Sequence, residues 1–167
     1  PLVEGALQLD DENLRDRSIN DIRKALESGD PTQIGVGLAA FNGLYELDFD
    51  KASFRNLILP HLQSSDASLR ESAWQALMMT GLQEGDAALM RQVAKTTGMG
   101  PRTSYFLYQM EKGDLTGESG EIVRGLIDWN DAGKSRFVVN GLWGAKFSPQ
   151  LEADLIQLSR QPEFLHD

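Results

Sequence analysis

Apolar residues return at intervals of three and four along most of the chain, and no stretch alternates Val, Ile and Thr with polar residues between hairpin turns. That spacing puts them on one face of an α-helix, whereas a half-buried strand needs a period of two. The pattern predicts helices over 11–28, 31–46, 51–63, 67–80, 84–97, 101–112, 119–129, 132–145 and 149–160, with no convincing strand. Between the apolar series stand Gly29, Gly81, Gly85, Gly98, Gly113, Gly117, Gly120 and Gly133, where they punctuate helices rather than interrupt them. Helix starts carry their own chemistry. Asp30-Pro31 and Ser148-Pro149 pair a capping side chain with a proline whose missing N–H had no intrahelical partner. Asp66 suits the same role, although Ser68 with Glu71 also makes a capping box two residues later. Asp50, Gly100-Pro101 and Asp131-Ala132 open further segments, and Asp10-Asp11-Glu12 gives the first helix a negative first turn that its dipole favours.

Sliding the chain on itself by 36 residues aligns Ile22 with Ile58, Leu26 with Leu62, Ser28 with Ser64, Asp30 with Asp66 and Ala40 with Ala76, while Leu38 meets Trp74 and Phe41 meets Leu77. The matches fall where residues have jobs. An apolar pair four apart ends one helix, an Asp opens the next, and small and large apolar residues alternate after it. The segment "DAGKSRFVVNGLWGA" is similar, with Val138, Val139 and Leu142 where Ala73, Trp74 and Leu77 stood.

The run Asp66-Ala67-Ser68-Leu69-Arg70-Glu71-Ser72-Ala73-Trp74-Gln75-Ala76-Leu77, preceded by Ile58-Leu59-Pro60-His61-Leu62, resembles a HEAT-type helical repeat. The unit at 18–45 resembles it less closely, those at 84–112 and 118–145 less again, and none of the others has an Arg at the position of Arg70. The resemblance implies one all-α domain over residues 1–167, an α-solenoid of antiparallel helix pairs: four pairs and a C-terminal capping helix. In such a stack Ala73 and Ala76 are small so that helices approach closely, and Trp74 and Leu77 fill the seam between pairs. No pair buries its apolar face alone, so stability comes from stacking neighbours.

Composition narrows the setting. The chain has 167 residues, enough for one domain that buries roughly 70% of its unfolded surface, and its 41% hydrophobic content suits a soluble fold. No apolar run approaches the ~20 residues of a membrane span. The formal charge of −9 repels polyanions on average, which makes nucleic acid an unfavoured partner. Cysteine is absent, and with it disulfides, thiolate metal sites and Cys nucleophiles. A start at Pro1 without a leader pattern suggests a processed chain or a piece of a longer one.

Little catalytic chemistry survives inspection, and no cofactor is implied. "AGKSR" at 132–136 ends like a phosphate-binding loop, but that motif needs a glycine where Asp128 stands, and a preceding strand. The two histidines, His61 and His166, lie one in a helix and one in the tail, which argues against a zinc site. Asp48 and Asp50 lack the Gly and distal Glu of a calcium loop, so Asp50 reads as a helix cap.

The surface is the better lead. The repeat register sends Asn42, Gln75, Met78, Tyr108, Glu111, Asn140 and Trp143 to the concave side, where Tyr108 and Trp143 would anchor a partner unless they pack between units. Trp74 and Trp129 read as core. The leading expectation is a protein-protein interaction or scaffolding module with an acidic concave surface, binding another protein or another domain of a longer parent chain. The alternative is an enzyme or accessory built on the same repeats, such as the HEAT-like bilin lyases or alkylpurine DNA glycosylases. A glycosylase, however, needs a basic groove with an Asp four residues after a Trp, and neither is present. The small-residue argument makes a direct prediction. Ala76→Phe lowers stability by ~1–3 kcal/mol through overpacking, and an unchanged urea midpoint contradicts it.

Overall fold

The coordinates are a computed structural model and describe residues 12–98, 100, 102–128, 135 and 138–161. These residues are mostly α-helical and fall into two compact units that divide between Leu82 and Gln83.

The first unit holds α1 (Glu12–Glu27), α2 (Pro31–Gly43), the short α3 (Arg55–Ile58) and α4 (Ala67–Met79). Helix α1 packs on α2 and α3, α2 packs on α4, and α4 also meets α3 and the turn that follows it. Helices α2 and α4 open in a similar way. Asp30 caps α2, its Oδ1 accepting the Thr32 N–H at 2.8 Å; Asp66 caps α4, its Oδ1 accepting the Ser68 N–H at 2.8 Å and the Leu69 N–H at 3.1 Å. Each Asp N–H in turn donates to a serine hydroxyl two residues earlier, Ser28 or Ser64, at 3.2 Å. Asp30 and Asp66, which the 36-residue offset aligns, thus make like cap contacts. These contacts also settle the start of α4 at Asp66 rather than at Ser68.

Small residues recur at equivalent places. A β-carbon on Gly37 would lie 3.1 Å from Ala25 Cβ and 3.2 Å from Leu26 Cδ2, and its counterpart Ala73 is fully buried. Beside Ala73 and Ala76, Trp74 has no exposed surface, and its Nε1–H donates to the Leu62 carbonyl at 3.0 Å, so the indole is buried without an orphan polar atom. The equivalents Ile34 and Arg70 differ. Ile34 fills its site with carbon, whereas the Arg70 guanidinium, equally buried, donates to the Ser64 carbonyl at 2.5 Å.

Two stretches depart from the expected helices. The helix expected over 51–63 is a 3₁₀ turn (Ala52–Phe54), α3, and a second 3₁₀ turn (Leu59–His61). Pro60 accounts for this, because it has no N–H to donate and its ring crowds the carbonyl four residues before it. Phe54, Ile58 and Leu62 nevertheless remain buried on one side. Helix α2 stops at Gly43 rather than at 46, and a loop follows that is gathered around Lys51. The Lys51 ammonium donates to the carbonyls of Tyr45 at 3.0 Å and Leu47 at 2.6 Å and lies 5.3 Å from the Phe49 ring centre. Asp50, expected as a helix cap, stands one residue before the cap position, which Lys51 occupies, and its Oδ1 accepts the Ser53 N–H at 3.2 Å.

The second unit contains α5 (Asp86–Thr97), α6 (Thr103–Met110), β1 (Asp114–Leu115), α7 (Glu118–Leu126), β2 (Lys146–Phe147) and α8 (Pro149–Ser159). Helix α7 packs against α5, α6, β1 and α8. The expected cap of α8 is present, with Ser148 Oγ accepting the Leu151 N–H at 3.3 Å ahead of Pro149. Three expectations need correction here. The described fold is not strand-free, since β1 and β2 form a short parallel pair with Asp114 opposite Lys146 and Leu115 opposite Phe147. A two-residue strand leaves no readable alternation in sequence. The helix expected over 132–145 does not reach its end: residues 140–145 are non-helical, with turns at 140–141 and 143–144. Gly120, expected between helices, lies inside α7 at its closest approach to β1, where any β-carbon would collide with the Leu115 carbonyl. Trp129, Asp131, Gly133, His166 and the Asp10-Asp11 pair lie outside the described residues.

The repeated caps predict matched losses. Asp30→Ala and Asp66→Ala each cost ~1 kcal/mol, read as similar drops in urea midpoint, and a loss at only one site breaks the equivalence.

Candidate functional site

Of the seven surface residues named from sequence, three fall in the first unit and four in the second, where Glu111 pairs with Arg91. In the first unit Asn42 lies on α2, and Gln75 and Met78 on α4; all three are half-buried. The Asn42 amide donates to the Ser72 carbonyl on α4 at 3.0 Å, so this side chain joins two helices rather than standing out from them.

In the second unit the structure brings Tyr108, Asn140 and Trp143 together around one turn. Leu142 is buried and fixes the turn from within, with its N–H donating to the Val139 carbonyl at 3.0 Å and its own carbonyl accepting the Ala145 N–H at 3.1 Å. The Lys146 N–H donates to the Gly113 carbonyl at 2.7 Å and ties the end of the turn to the end of α6. The Tyr108 hydroxyl reaches from α6 and donates to the Trp143 carbonyl at 2.8 Å. With its backbone held in this way, the Trp143 side chain is 85% exposed. Asn140 is also exposed, at the start of the turn.

Sequence reasoning missed two members of this surface. Tyr105, 46% exposed, lies one turn of α6 before Tyr108 and against the backbone of Gly141, where a β-carbon would sit 3.4 Å from Tyr105 Cβ. The three-residue spacing of the two tyrosines was the signal that could have revealed it. The other is Lys112. Helix α6 ends with the Gly113 N–H donating to the Tyr108 carbonyl at 2.8 Å, which places Lys112 at the left-handed position of a Schellman cap, with φ of 52°. Glycine is the usual occupant because a β-carbon strains that conformation.

Nearby polar groups are occupied with one another. A depression of about 500 Å³ is lined by Arg91, Glu111, Asp114, Thr116, Glu118 and Ser119. In it Arg91 pairs with Glu111 and, at 3.0 Å, with Glu118; Lys95 also pairs with Glu118, and Ser119 Oγ donates to Glu111 at 2.6 Å. The hydrogen bond and charge of Lys95, then those of Arg91, hold the Glu118 carboxyl below its ordinary range. Hydrogen bonds from Thr116 do the same for Asp114. These pairs link α5 to α7 and to the end of α6. Among the described residues no set of three His, Asp or Glu side chains is placed to hold a metal ion. His61 is half-buried, and burial pushes its imidazole down from its usual value. No helix of the described residues is long and apolar enough to cross a membrane.

No protein-family model matches the chain, and no curated protein or solved structure matches it significantly.

What the turn offers is apolar area on a fixed backbone. Burying an indole and a phenol ring against a partner removes substantial apolar surface from water with few rotors to freeze. The left-handed lysine gives the site a testable signature. Lys112→Gly relieves the strain and raises stability by ~0.5–1 kcal/mol, seen as a higher urea midpoint, and a lowered midpoint shows that the lysine is not strained.

Proposed function

We propose that the chain is a protein-interaction module of stacked helix pairs, of the HEAT type that its sequence resembles, and that it grips its partner through Trp143. The observation that carries this reading is an indole 85% exposed on a turn whose backbone is held by Tyr108, Leu142 and Lys146. Large aromatic side chains left bare on a fixed backbone are the residues that dominate protein interfaces when buried, each worth ~2 kcal/mol or more. The like Ser-Asp caps of α2 and α4 support the stacked-pair part of the reading, because two helices 36 residues apart begin with the same local chemistry. The partner is another protein or another domain of a longer parent chain. A net charge of −9 disfavours nucleic acid in that role.

The full chain, immobilised, captures its partner from a native lysate. Trp143→Ala weakens that capture by roughly 30-fold or more and leaves the helical circular dichroism unchanged, because the side chain it removes packs against little. Capture that persists undiminished in the folded variant refutes the assignment.

A further inference from the structure

The reading of Trp143 as an anchor leaves open what chemistry surrounds it, and the second unit narrows that. Although the chain carries −9 overall, the residues bordering the Trp143 turn include two exposed lysines. Lys112 follows α6 four residues after Tyr108, whose hydroxyl holds the turn, and Lys146 follows the turn and bonds through its backbone to Gly113. The carboxylates close by are engaged. Asp114 accepts from the Thr116 N–H at 3.1 Å and hydroxyl at 2.6 Å and also feels the charge of Lys146, its neighbour in the strand register, while Glu111 is turned to Arg91 and Ser119. Among the described residues no carboxylate or carbonyl takes the Lys112 ammonium.

Lys112 is also where the backbone is strained. It is the one non-glycine residue with positive φ among those described, at a position that glycine fills without strain. A residue kept in an unfavourable conformation directs attention to what its side chain does, because its local geometry gains nothing from it. Here the side chain adds a positive charge at the end of α6, which Tyr108 and Gly113 tie to the turn that carries Trp143.

We infer that this face binds an extended protein segment in which an aliphatic or aromatic side chain is flanked by carboxylates: the apolar group packs on Trp143 and Tyr105, and the carboxylates meet Lys112 and Lys146. The inference rests on the interaction reading above and adds the partner's charge to it. Single-stranded nucleic acid also uses aromatic platforms beside cations, but it presents a charge at every nucleotide, and two lysines on a −9 chain do not offset that repulsion.

A fluorescence anisotropy titration of the full chain at low salt tests this. The probe is a short fluorescein-labelled peptide of Asp, Glu and Leu; its comparators are the same peptide with Lys in place of every acid, and oligothymidylate. The acidic peptide binds saturably and the comparators do not. Trp143→Ala and the double variant Lys112→Glu, Lys146→Glu each weaken it by at least ~10-fold, as expected for lost anchor and charge contacts. Lys112→Gly keeps the fold, removes one charge and weakens binding several-fold, so a misfolded double variant leaves the test intact. Failure of the acidic peptide to bind, indifference to the lysine substitutions, or tighter binding of oligothymidylate or the basic peptide each overturn the inference. A lysate partner that depends on Trp143 but ignores the charge reversal leaves the interaction reading standing and removes this one; a partner indifferent to Trp143 removes the interaction reading itself.

Discussion

Most of these helices are too short to stand alone. The described ones run from four residues in α3 to 16 in α1, and isolated helices shorter than ~12–15 residues are marginal in water even with favourable composition. Everything therefore depends on burying one helix against another at close range. In the first unit that requirement is met where Gly37 lies against Ala25 and Leu26, and where Ala73 and Ala76 admit Trp74 to full burial. In the second it is met where Gly120 brings α7 onto the Leu115 carbonyl. Small residues set the distances, and the large apolar side chains fill what remains.

Much of this was legible before any coordinates. Caps declare themselves because their chemistry is local: Asp30, Asp66 and Ser148 each accept the backbone N–H their position implies. The apolar spacing located α1, α2, α4, α5 and α8 within a few residues, since a buried face imposes its period on the sequence. Three features escaped. Pro60 splits its helix although the apolar spacing runs through it. The β1–β2 pair joins segments 32 positions apart with two residues each, too short to leave a pattern. Gly120 looked like a punctuation mark because a glycine needed for close approach and one needed for a turn are the same letter.

The candidate surface was half legible. Tyr108 and Trp143 were found, but as members of a helical register, whereas the structure places Trp143 on a turn and gives Tyr108 the task of holding it. Asn42, assigned to the same register, bonds across to α4 instead. Lys112 had no signal at all, since a lysine before a glycine at a helix end is ordinary as text, and its left-handed backbone appears only in the geometry. Acidic composition, likewise, averages over the chain and does not single out the two exposed lysines beside the turn.

The paired Ser-Asp openings of α2 and α4 carry one more implication, for how such a chain can grow. Because the residues before Pro31 and before Ala67 present the same hydroxyl and carboxylate to the helix that follows, a further copy of residues 31–66 inserted after Asp66 would arrive with both of its joints already specified. Lengthening by that segment asks for no new junction chemistry, because each Asp still stands directly before the helix it opens.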